Sequence, residues 1–92
     1  MEKIQSLRKK IDEIDEQILY SLKERVAVCI TIGTTKRENG IPIRDSQREE
    51  EQYRFIMKKA SELELDPHEV KAVYRKIISM CIHAQQSDIN KS

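Results

Sequence analysis

The chain has 92 residues, of which 17 are Lys or Arg and 16 are Asp or Glu, so its formal net charge at pH 7 is only +1. This balance gives no broad basic surface, which argues against nucleic acid or a membrane surface as the partner. The two cysteines have no CxxC spacing and no apolar run reaches the roughly 18 residues of a membrane span, so we expect one cytoplasmic domain over residues 1–92 without a zinc site or a disulfide framework.

The first predicted element is one long helix over residues 2–39. Apolar side chains recur along its first half at spacings of three and four, as in a buried helical seam. The residues of this seam are Ile4, Leu7, Ile11, Ile14 and Ile18. In the second half, Arg25 and Lys36 lie on one face together with Cys29 and Ile32. A buried cation costs several kcal/mol unless an anion meets it, so the pattern predicts that an anion binds at this face.

The length of this helix predicts a second copy of the chain. A helix over residues 2–39 extends on the order of 55 Å, whereas a compact globule of this size is roughly 32 Å across. The rest of the chain cannot cover such a helix, and we therefore expect an interlocked homodimer. A simple coiled coil is the alternative interpretation of the seam.

Two shorter helices are predicted to follow. Asn39 and Gly40 favour a helix end, and Pro42 prevents the helix from continuing. Asp45 and Asp66 are the predicted N-caps of the second and third helices. The loop and the two helices are predicted over residues 40–44, 45–63 and 66–88. Their inward faces are predicted to carry Tyr53, Ile56, Ala60 and Leu63, and Val70, Val73, Ile77 and Cys81.

Polar residues interrupt these apolar faces in all three helices, at Arg25, Lys36, Glu49 and Gln85. Each alone has an ordinary explanation, such as a surface salt bridge or a helix-end contact. Together they predict a polar pocket inside a helical bundle. The sequence shows no nucleophile with a base, no phosphate loop and no paired carboxylates. Cations and donors alone suit binding, or a reaction that needs only orientation and charge stabilisation.

Two further arginines are candidates for this pocket. Arg48 precedes Glu49 directly and could form a surface ion pair with it. Arg8 lies about 25 Å from Arg25 along the same helix. It could therefore reach a shared site only from the partner in an antiparallel dimer.

Five segments resemble, in order, those of the all-helical (AroQ) chorismate mutases: LRKKIDEID, KER, G-x-x-K, GIPIRDSQREE and CIHAQQ. The most specific part is Pro-x-Arg-Asp-x-x-Arg-Glu, at a fixed distance from Lys36 and Arg25. The resemblance covers nearly the whole chain. It implies an intertwined homodimer of three-helix protomers that is an isomerase of the shikimate pathway. Such an enzyme rearranges chorismate to prephenate for Phe and Tyr biosynthesis and needs no cofactor or metal.

The resemblance also implies a role for each polar residue. Arg25, with Arg8 of the partner chain, would hold the two carboxylates of chorismate. Lys36 would contact a carboxylate and the ether oxygen, and Gln85 would donate to the same ether oxygen from its other side.

The remaining implied contacts surround the ring of the substrate. Glu49 and the main chain at Asp45 would bind the ring hydroxyl. Arg48 would contact the ligand or order Glu49. Cys81 stands where the family often has Ser or another small polar residue that hydrogen-bonds the substrate, which leaves this one contact open.

Two alternatives remain at this stage. The first is an isochorismate pyruvate-lyase, which has a similar fold and carries out a related pericyclic reaction on an isomeric substrate. A non-catalytic helical dimer or adaptor would show no stabilisation by small dianions.

Overall fold

The computed structural model describes the backbone of residues 2–91 and the side chains of residues 2–87. It consists of three helices, α1 (Glu2–Glu38), α2 (Ser46–Glu62) and α3 (Pro67–Lys91), and this described part contains no strand. The prediction of an all-α, three-helix chain is confirmed. The third helix continues to Lys91, past the end predicted at residue 88. No helix in the described range is long and apolar enough to cross a membrane.

A glycine ends α1 and turns the chain back towards it. Gly40 has a φ of +65°, in the left-handed region that glycine adopts without a Cβ penalty. Its N–H donates to the Arg37 carbonyl (3.2 Å), and the N–H of Ile41 donates to the Lys36 carbonyl (2.8 Å). These two bonds form a Schellman motif, which satisfies carbonyls at the end of the helix. The reversal directs the following loop along the last turn of α1.

Aspartates cap the other two helices, as the sequence predicts. Asp45 Oδ1 accepts a hydrogen bond from the N–H of Arg48 at 3.1 Å. Asp66 Oδ1 accepts from the N–H groups of His68 (2.9 Å) and Glu69 (3.3 Å). Both side chains satisfy main-chain donors that the first turn of a helix leaves without a partner.

The third helix, α3, packs against both of the others and forms the centre of the protomer. Arg25 contacts Cys81, and farther along both helices Gly33 lies against Gln85, so α1 and α3 run in the same direction. Helix α2 runs in the opposite direction, since its first turn lies near the end of α3. This arrangement brings the end of α1, the start of α2 and the end of α3 together.

The small core lies along α3, on a face slightly different from the predicted one. Cys81 is buried as predicted, but Val73 is 59% exposed, and Ile78, which is only 5% exposed, lies in the core instead. Leu63 of α2 was also predicted to face inward and is exposed. Two helical stripes of α3 pass through Cys81, one through Ile77 and one through Ile78, and spacing alone does not decide which is buried.

The first half of α1 has no cover within the protomer. All residues from 2 to 21 are exposed, and the five seam side chains retain 44–57% of their accessible surface. The protomer is 56 Å long, which matches the extent of an uninterrupted helix. The chain therefore carries an apolar seam that α2 and α3 leave largely exposed.

Replacing Glu64 by glycine should stabilise the fold. Glu64 follows α2 with a φ of +62°, a conformation that is unfavourable for a residue with a Cβ. We expect Glu64→Gly to raise the free energy of unfolding by roughly 0.5–1 kcal/mol in urea titrations. The matched control is Glu62→Gly, inside the last turn of α2, which should lower it. Equal destabilisation by both substitutions would contradict this prediction.

Candidate active site

A cavity of about 320 Å³ lies where α1, α2 and α3 come together. Its volume falls at the lower end of the range for small-molecule sites. All the predicted site residues except Arg8 contribute to its lining. They are Arg25, Lys36, Asp45, Arg48, Glu49, Cys81 and Gln85.

Arg25 enters the cavity from α1 and contacts two sulfur atoms. Its Nη1 donates to Cys81 Sγ at 2.8 Å and lies 3.9 Å from Cys29 Sγ. The guanidinium is half-buried, and no salt bridge to it occurs among the described side chains. Thiols are weak hydrogen-bond acceptors, so the positive charge of Arg25 is available to an anion in the cavity.

Lys36 supplies the second cation. It is half-buried near the end of α1, and its Nζ donates to the main-chain oxygen of Ile43 at 3.0 Å. An ammonium has three donors, so two remain for other partners. Within residues 2–87 no carboxylate forms a salt bridge with it.

Gln85 is the buried amide of the site, with only 7% of its surface exposed. Its Nε2 donates to the main-chain oxygen of Cys29 at 2.7 Å, across the contact between α3 and α1. Gly33 makes this contact possible, because a Cβ at that position would lie 2.9 Å from Gln85 Cγ. The second N–H and the oxygen of the amide remain available to a ligand.

Glu49 is held at the edge of the cavity by an arginine, but not by the one that directly precedes it. Arg44 Nη2 lies 2.8 Å from Oε1 and 3.2 Å from Oε2 of Glu49. Arg48 pairs with Glu51 instead, at 3.6 Å. Consecutive side chains on a helix point about 100° apart, whereas the loop residue Arg44 can approach Glu49 from outside the helix. In this structure, Glu49 thus pairs with Arg44 rather than with Arg48.

Arg8 lies in the exposed first half of α1 and does not belong to the cavity lining formed by residues 2–87. About 25 Å of helix separates it from Arg25. Among the described residues, no group of three or more His, Cys, Asp or Glu side chains could hold a metal ion.

Sequence reasoning assigned no role to several residues that line the cavity. Gln52 follows Glu49 by three residues and shares its helix face, so spacing could have identified it. Cys29 lies on the predicted face with Arg25 and Lys36, but its spacing indicates no role beyond packing. The contact of Ile43 with Lys36 uses a main-chain oxygen, for which the sequence carries no signal.

Comparison with known proteins places these features in a family. The sequence model described as "Chorismate mutase type II" matches residues 7–86. The chain is 37% identical over 89 residues to a bifunctional chorismate mutase/prephenate dehydratase of Aquifex aeolicus, covering 94% of this chain and 25% of that protein. It is 41% identical over 66 residues to a chorismate mutase of Methanocaldococcus jannaschii, covering 72% and 67% of the two chains.

A third relative carries a different name. The chain is 29% identical over 76 residues to a 3-dehydroquinate dehydratase of Pyrobaculum aerophilum, covering 83% of this chain and 22% of that protein. The chain thus spans about a quarter of the length of the Aquifex relative and less of the Pyrobaculum one.

Ionisation of Cys29 should make the protein less stable in alkaline solution. Burial, together with the neighbouring Cys81 thiol, raises the pKa of Cys29 from its ordinary value of 9.0 to about 11, and Arg25 partly opposes the rise. Between these values the unfolded thiol loses its proton and the folded thiol keeps it, so stability falls as pH rises, with no effect below that window. The free energy of unfolding should decline more steeply there in wild type than in Cys29→Ala. Parallel declines would contradict this.

Proposed function

This chain belongs to the type II chorismate mutase family, and we propose from that membership that it rearranges chorismate to prephenate. The observation that carries the proposal is the pairing of Arg25 and Lys36 in one cavity, with no carboxylate bridged to either among residues 2–87. Chorismate has two carboxylates, and its dianion would supply the charge that these cations lack. A buried amide, Gln85, faces the same cavity.

The reaction is a Claisen rearrangement within one molecule. One C–O bond breaks as a C–C bond forms, without proton transfer or a covalent intermediate. The enzyme has to hold the enolpyruvyl side chain over the ring and stabilise the negative charge that develops on the ether oxygen. A site with cations and amide donors but no nucleophile paired with a base suits these requirements.

We assign Arg25, together with the partner's Arg8, to the two substrate carboxylates, and Lys36 to a carboxylate and the ether oxygen. Gln85 donates its second N–H to the ether oxygen from the opposite side. The bond from Gln85 to the Cys29 oxygen (2.7 Å) fixes the amide in advance. A donor that is already oriented costs no reorganisation when charge develops in the transition state.

The substrate ring is assigned to the start of α2. Glu49, held by Arg44 at 2.8 Å, accepts a hydrogen bond from the ring hydroxyl, with the main chain at Asp45 beside it. Arg48 is a further contact to the ligand. The Cys81 sulfur already accepts from Arg25, so its S–H serves as a weak donor to the substrate.

The proposed enzyme is a homodimer in which Arg8 acts on the partner's substrate. The exposed seam along the first half of α1 supports this assignment, because apolar side chains at 44–57% exposure form one continuous stripe. A second α1 packed antiparallel on this stripe would bury it. It would also bring each Arg8 towards the cavity of the other protomer.

The first experiment is an assay of the purified protein with chorismate, followed by absorbance and by identification of the product. Prephenate is the expected product. Isochorismate is tested in parallel, and cleavage of isochorismate without chorismate turnover would replace the proposal by the lyase. Inertness towards both substrates would leave a binding protein.

Lys36→Ala should lower turnover about 10²- to 10³-fold, because the ether oxygen loses one of its two donors. Gln85→Ala should have a comparable effect. Lys23→Ala is the matched control, since Lys23 is an exposed lysine of the same helix outside the cavity lining. Steady-state kinetics measures the effect, on variants whose circular dichroism spectra match that of the wild type. Near-normal turnover in either active-site variant would remove that residue from the mechanism.

The assignment of Arg8 to the partner's site can be tested by complementation. Arg8→Ala and Lys36→Ala should each be nearly inactive as homodimers. After the two are unfolded and refolded together, half of the dimers are mixed and each has one intact site, so activity should return to about one quarter of wild type. A mixture of Arg25→Ala with Lys36→Ala is the control, because neither site of that mixed dimer is intact. Failure of the first mixture to recover activity would place Arg8 outside the partner's site.

A further inference from the structure

We propose that Cys29 and Cys81 are an oxidation site, at which a reversible disulfide between α1 and α3 closes the substrate cavity. Both cysteines line that cavity. The effect on catalysis rests on the proposed function, whereas formation of the disulfide does not.

The two thiols share one neighbour. Arg25 Nη1 lies 2.8 Å from Cys81 Sγ and 3.9 Å from Cys29 Sγ. Cys81 is also close enough to Cys29 to contribute to the raised pKa of its thiol. Both cysteines are free in this structure. The two sulfurs therefore lie close together at the interface, one on α1 and one on α3.

The packing of α1 against α3 places the two cysteines at the same level of the helix interface. The two helices are very close at Gly33, where a Cβ would lie 3.0 Å from Gln85 Cβ. Cys29 and Cys81 lie one turn before these residues in two helices that run in the same direction. Helices that cross at common angles diverge by only a few Å over one turn. A disulfide needs the two Cβ atoms roughly 3.5–4.5 Å apart, and close packing one turn away favours such an approach.

A hydroperoxide is the class of oxidant that would form the bond. The Cys81 sulfur attacks one oxygen of hydrogen peroxide, the O–O bond breaks, water leaves and a sulfenic acid remains. The Cys29 sulfur then attacks this sulfur, the S–O bond breaks and a second water leaves. Both sulfurs are oxidised and both peroxide oxygens reduced. Cys29 is assigned the second step because burial raises the pKa of its thiol to about 11, which makes it a poor first nucleophile.

The disulfide would act on the site through Arg25. Joining the sulfurs moves Cys81 Sγ from the position at which it accepts a hydrogen bond from Arg25 Nη1 (2.8 Å). The guanidinium then loses the neighbour that holds it in the cavity. The covalent bridge also makes the cavity narrower, because both cysteines belong to its lining. Reduction by a dithiol restores both thiols and the contact.

Diamide tests the proposal, because it converts pairs of thiols to disulfides and gives a lone thiol no stable product. After treatment, peptide mapping without reduction should show a Cys29–Cys81 linked peptide, with the protein two hydrogens lighter. Chorismate turnover should fall more than tenfold and return with dithiothreitol. Treated Cys29→Ala should keep the turnover of its own untreated sample.

Three outcomes would overturn the inference. They are absence of the linked peptide, a link formed only between chains on non-reducing electrophoresis, and a linked protein that retains full turnover. If the reduced protein does not act on chorismate at all, the proposed function has failed, and the peptide map still decides whether the two cysteines pair.

Discussion

The difference in length between α1 and the other two helices governs the rest of the structure. Helix α1 has 37 residues, whereas α2 has 17 and α3 has 25. Helix α3 packs on the C-terminal half of α1, and α2 packs on α3, so the core and the cavity form there. The N-terminal half is left as a helix with an exposed apolar stripe. One chain thus has the cavity at one end and an exposed apolar surface at the other.

The cavity is electrostatically incomplete in the protomer. Arg25 and Lys36 both reach it, and in the described part of the chain their hydrogen-bond partners are thiols and a main-chain carbonyl rather than carboxylates. Neutral acceptors satisfy hydrogen bonds without cancelling charge. Glu49 lines the same cavity, but its carboxylate pairs with Arg44 rather than with Arg25 or Lys36. A dianion that enters the cavity therefore meets two cations that need not first be released from a salt bridge.

Local features were predictable from the sequence, whereas contacts between elements were less so. The caps at Asp45 and Asp66 and the turn at Gly40 depend on a few neighbouring residues, and the structure has them as predicted. The buried face of α3 was misplaced at Val73, because two stripes meet at Cys81 and only the positions of α1 and α2 select between them. The partner of Glu49 depends on the path of a loop, which spacing along a helix does not give.

Gly33 affects the site because it has no side chain, which allows Gln85 to pack closely against α1. A methyl group there would lie 2.9 Å from Gln85 Cγ and would have to push the buried amide away from α1. The position of that amide is thus set from a residue on another helix that contributes no side-chain atom of its own. Residue 33 should therefore tolerate substitution as poorly as the residues of the site, although it has no side chain that could contact a ligand. The absence of a Cβ at this position determines where the Gln85 amide can lie.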